Sequence, residues 1–155
     1  MEILESKEQK LFARNLICVG IDRCENGDFC GRIWEPYDDQ PFEFTGINDM
    51  VIHMDDLYDE WNYPQRALNE RSFLRTHEST RTNIIRDDGF VEKIDRLQKM
   101  RGEIGTFIVQ VKFRQHATWQ GVVVWAEENK RGNFRSAMEL VHLIDHAISK
   151  GLLIK

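Results

Sequence analysis

Near the C-terminal end, FIVQVKF from Phe107 and WQGVVVW from Trp119 alternate apolar residues with the period of β-strands. After a charged loop the period changes to that of an amphipathic helix beginning at Ser136. The same order of patterns occurs 90 positions earlier without a gap, Val19 falling on Val109, Phe29 on Trp119, Ile33 on Val123 and Phe44 on Phe134. In the helices, Ile47, Met50, Val51, Met54, Leu57 and Tyr58 fall on Ala137, Leu140, Val141, Ile144, Ala147 and Ile148. The pattern predicts an α+β fold of two ββα units, residues 15–60 and 105–150. They form a four-stranded antiparallel sheet with both helices on one face, within a single domain spanning 1–155.

The first strand is expected from Asn15 to Cys24 and the second from Asp28 to Glu35. Placing Ile17, Val19 and Ile21 on the same face as Phe29, Gly31 and Ile33 requires Val19 opposite Ile33 and Ile21 opposite Gly31. That register leaves Glu25-Asn26-Gly27 as a three-residue turn with a bulge and a left-handed glycine. Gly31 and Gly121 are expected to let a helix approach the sheet closely. Glu35 to Glu43 reads as a polar connection, and helix 1 as running from Gly46 to Glu60. In the second unit Phe107, Val109, Val111 and Phe113 are placed inward with Trp119, Gly121, Val123 and Trp125. Ser136 and Glu139 form a capping box, and Gly151 a C-cap. A short N-terminal helix over residues 2–13, a long connector over 62–104 with a polar stretch RTHESTRTN, and a short helix within Gly89 to Arg101 complete the expectation.

Composition adds class and charge. The chain has 155 residues, 41% apolar and 30% charged, which suits a globular protein with a real core. No signal-peptide h-region or transmembrane run is visible, and three cysteines without a CxxC argue against a disulfide framework or zinc site. A reducing cytoplasm is the expected location. Of the net charge of −5, nine acids and no Lys or Arg lie between Glu35 and Glu60. The bland account is a solvated helix face; the alternative is a field of one sign.

Catalytic signatures are absent: no phosphate-binding glycine loop, HExxH or nucleophile elbow occurs. His142 and His146 form an i,i+4 pair without a third ligand. Asp55 and Asp145 recur in both units, where a structural contact explains them. No enzyme activity, cofactor or metal is expected. Cys18, Cys24 and Cys30 are placed as ordinary residues on the face opposite the core. That outer face, with Arg32, Trp34, Ile108, Val122 and Val124, is more apolar than a solvated sheet requires. Either the chain covers it or a partner does.

The leading expectation is a non-catalytic binding module acting through protein–protein contact at Trp34, Arg32, Ile108, Val122 and Val124, its partner another protein or a second copy. The first alternative is an acidic nucleic-acid mimic of the phage anti-defence type, in which Asp38, Asp39, Asp49, Asp55, Asp56, Asp59 and Glu60 imitate phosphates for a basic groove. The second is single-strand nucleic-acid binding, with Trp34 or Trp119 stacking on bases beside Arg32, Lys112 and Arg114. Overall acidity counts against direct nucleic-acid binding, and no membrane contact is expected.

Overall fold

A computed structural model describes residues 11–25, 27–63, 89–115 and 118–154. Its strands are β1 (Ile17–Glu25), β2 (Asp28–Glu35), β3 (Asp38–Phe44), β4 (Gly105–Gln115), β5 (Thr118–Trp125) and β6 (Lys130–Phe134). Its helices are α1 (Ile47–Trp61), α2 (Phe90–Leu97) and α3 (Ala137–Ile154). The expected helix over 2–13 falls largely on residues 1–10, and the RTHESTRTN stretch on 75–83; both lie outside the described residues.

The fold is α+β, but the sheet has six antiparallel strands in the order β3-β2-β1-β4-β5-β6, not four. The expected ββα units are not found: α1 follows three strands, β1 to β3, and α3 follows three more, β4 to β6. The extra strands are the two edges. DDQPFEF and KRGNF are short, polar and, in β3, interrupted by Pro41. Edge strands tolerate proline and favour charge because one backbone edge faces away from the ladder. A polar sequence therefore resembles a loop there.

The registers Val19–Ile33 and Ile21–Gly31 form as expected, and Gly27 has φ 78°. Glu25 pairs directly with Asp28, however, and the irregularity lies between Ile21 and Arg23 instead of at the turn. An extra residue there reverses the facing of everything beyond it. Cys24 thus pairs with Phe29 on the helix side, not on the outer face. The same shift occurs between Val111 and Phe113. Phe113, expected inward, is 61% exposed, and Arg114, expected outward, is buried opposite Trp119. Gly31 and Gly121 serve these shifts: an added Cβ would collide with the Gly20 or Gln110 carbonyl of the neighbouring strand, not with a helix.

Between the sheet and helices α1 and α3 lies the main core, built on Val19, Ile33, Val109 and Val123 with Met54, Tyr58, Leu140 and Ile144. The α3 terminus carries the serine half of the expected box, the Glu139 N–H donating to Ser136 Oγ at 3.0 Å, while Glu139 Oε1 accepts from the Arg135 N–H at 2.7 Å, one residue before the cap. Asp49 accepts from the Thr45 N–H at the corresponding place before α1. Gly151 does not cap α3, which continues to Ile154. A single helical glycine costs only about 1 kcal/mol relative to alanine.

The other sheet face is covered too. Ile94 and Leu97 of α2, with Leu11 and Leu16, bury Cys18, Trp34, Ile108, Val122 and Val124 in a second core. The outer apolar residues are apolar because the chain itself packs on them.

Candidate binding cleft

The two edges of the sheet pack differently against their helices. In β3, Phe42 pairs with Ile33, and its ring lies flat on His53 of α1 with centroids 3.6 Å apart and planes 8° apart. At the other edge Gly132 pairs with Val123, and Leu143 lies 90 positions after His53 in the sequence. Gly132 supplies no side chain there. A cleft of about 220 Å³ lies between β5, β6 and α3. Phe107, Val123, Trp125, Leu143 and Ala147 give it an apolar lining, and Lys130, Arg131, His146 and Lys150 complete it.

The polar residues of the two halves are of opposite character. Where the cleft has Lys130, Arg131, His146 and Lys150, the first half has Gln40, Pro41, Asp56 and Glu60. From Asn15 to Glu60 twelve carboxylates stand against two arginines, whereas from Gly105 to Lys150 six Lys and Arg outnumber four acids. The cleft therefore lies in the cationic half of an acidic protein, where anions are favoured. Desolvation against Phe42 lowers the His53 pKa, which favours its neutral ring.

Glu35 occupies the first-half position of Trp125. Burial pushes its carboxyl up to about 7, although the Tyr37 N–H donates to its Oε1 at 2.7 Å and works the other way. Because the folded pKa lies above its ordinary 4.5, this group's stabilising contribution is complete below that pH and is lost as pH rises towards 7. Thermal unfolding across this window should show the native protein losing stability with pH relative to Glu35→Gln. Parallel curves for the two proteins would contradict the buried environment.

The residues expected as a partner surface are not together on a free surface. Trp34 is 8% exposed, and Ile108, Val122 and Val124 are buried beneath α2. Arg32 is held by Asp22, with Nε 2.9 Å from Oδ2, and lies 4.8 Å over the Trp34 ring. Partial burial works to raise the Asp22 carboxyl, but the Arg32 and Glu103 donors outweigh it and the pKa falls.

The acidic set is largely engaged in local contacts. Asp38 accepts from the Gln40 N–H, Asp49 from the Thr45 N–H, and Asp39 pairs with Arg96. Asp55 and Asp59 both bind Arg114 at 3.0 Å, joining α1 to β4 across the halves, with the guanidinium 5.6 Å over Tyr58. Asp56 and Glu60 are exposed on α1. The Trp119 ring is 2% exposed in the main core. Lys112 is exposed, but neither tryptophan that was expected to stack on bases presents an open face.

Burial raises the Cys18 thiol pKa, which disfavours its reactive thiolate. Among the described residues no group of three or more His, Cys, Asp or Glu is placed to hold a metal ion, and no helix is long and apolar enough to cross a membrane. His142 and His146 are both exposed on α3. The cleft itself escaped sequence reasoning because Lys130–Phe134 resembled a loop. The available signal was Gly132 falling on Phe42 in the 90-residue correspondence. Comparison with protein-family models, curated proteins and solved structures finds no match to this chain.

Proposed function

We propose that the protein is a non-catalytic binding module acting through protein–protein contact, with the cleft between β5, β6 and α3 at the centre of the contact. The observation that carries this reading is the pair of corresponding positions, Phe42 closing the first half and Gly132 leaving the second open. In this reading the halves are copies of one βββα unit, one packed shut and acidic, the other open and cationic. An apolar recess with charged groups around it is the anatomy of a contact in which an anchor is desolvated and polar groups set its orientation. The cationic residues select a partner of acidic character.

The acidic-mimic reading retains one specific support, the twelve carboxylates of the first half. Capture from extract of the native host, with the retained protein identified, separates the two. The native protein and Asp56→Asn/Glu60→Gln should retain the same partner. Gly132→Phe and Lys130→Glu/Lys150→Glu should lose it by about tenfold or more, as expected for a central anchor site. The reverse ranking would transfer the function to the acidic helix α1.

A further inference from the structure

We infer that the cleft receives an aromatic side chain from a partner segment whose neighbouring residues are carboxylates. This rests on the binding-module reading and names the group that fills the site. Size is the first argument. At about 220 Å³ the cleft lies below the roughly 300–1,000 Å³ of ordinary small-molecule sites, so it suits one side chain better than a whole ligand.

Shape is the second. The other edge of the sheet offers a precedent for a ring held between edge strand and helix: the flat ring of Phe42 against His53. At Gly132 an added Cβ would meet Leu143 Cδ1 at 3.7 Å and Val123 Cγ1 at 3.9 Å, both ordinary contacts. A ring brought from outside thus finds space that the fold accommodates as an internal ring elsewhere. Trp125 and His146 add planar groups to the lining, and aromatic pairs favour one another beyond simple area burial.

Charge is the third argument. Lys130 and Lys150 stand where the closed half has Gln40 and Glu60. Cationic side chains accompany the vacant ring position and not the filled one. A segment with acids on either side of its ring satisfies both features at once. A basic or uncharged segment satisfies only one.

The test is an amide-resolved titration of the full chain with a short peptide carrying tryptophan between glutamates. Shifts should centre on Gly132, Leu143 and His146, and alanine in place of the tryptophan should weaken binding about tenfold or more. Gly132→Phe should remove the response while preserving the unfolding temperature. Lys130→Glu/Lys150→Glu provides a second variant outside the packed core. Equal binding by the alanine or a leucine peptide, or shifts centred elsewhere, would overturn the inference. So would N-acetyltryptophan binding as tightly as the peptide, which identifies a small-molecule site. Self-association through the cleft without peptide, detected by sedimentation, would also overturn it, in favour of a second copy as occupant. Should the peptide fail while a captured host partner still depends on Gly132, the aromatic inference falls and the module reading stands. Independence of both from Gly132 removes both.

Discussion

Truncating Trp34 to alanine should lower stability by about 3–5 kcal/mol while leaving the folded protein's partner binding intact. The indole is buried with Cys18, Ile108, Val122 and Val124 beneath Ile94 and Leu97, so its removal leaves a cavity and strips the Arg32 guanidinium of the ring beneath it. The surrounding side chains belong to a sheet and a helix and cannot simply collapse into the gap. Urea unfolding should show a lower midpoint at unchanged slope, the signature of lost stability without a change in surface exposed on unfolding. A loss below about 1 kcal/mol would mean that α2 does not cover the sheet as described. Loss of binding at full stability would restore the outer face as a contact surface.

The second large effect concerns Arg114. Replacing Asp55 and Asp59 together with asparagine should cost about 3–5 kcal/mol, because it removes both carboxylates from a guanidinium that is only 2% exposed. The carboxylates themselves are 33% and 47% exposed and can be hydrated, so the penalty falls on the arginine. Each single replacement keeps the other carboxylate beside the guanidinium and should cost less than half of the double, a non-additivity expected of residues sharing a network. Arg114→Met should be much milder than the double replacement, since it removes the charge and retains an apolar stem against Tyr58. Equal losses for Arg114→Met and the double variant, measured by the same urea titration, would show that the arrangement is not limited by the buried charge.

These residues also show what was legible in the sequence. Alternation disclosed β1, β2, β4 and β5, and the 3.6-residue period disclosed α1 and α3, because their apolar stripes face one core. The edges were not legible in this way. Asp38–Phe44 and Lys130–Phe134 each bury little beyond their final phenylalanine, and a strand that buries one residue has no period to detect. Nor could alternation reveal the irregularities after Ile21 and Val111. One additional residue carried Arg114 inward and Phe113 outward, and the Asp55 contact became visible only with that reversal. The outer face posed a different difficulty. Its apolar character was evident, but its occupant, α2, comes from the long connector, and sequence alone left self-coverage and partner contact equally open.

The cleft had one trace in the sequence. At an offset of 90 residues Gly132 falls on Phe42, but a glycine there implies a recess only if β6 is a strand packed beside α3. Once the edge strand is in place, the adjoining charge reversal acquires a location.

Hydrogen–deuterium exchange of the native protein, alone and with its captured partner, tests the central claim most directly. Backbone protection should concentrate in β6 from Lys130 to Phe134 and in α3 from Leu143 to Lys150, with α1 unchanged. Protection centred on α1 between Asp49 and Glu60, with β6 and α3 exchanging as in the free protein, would contradict it.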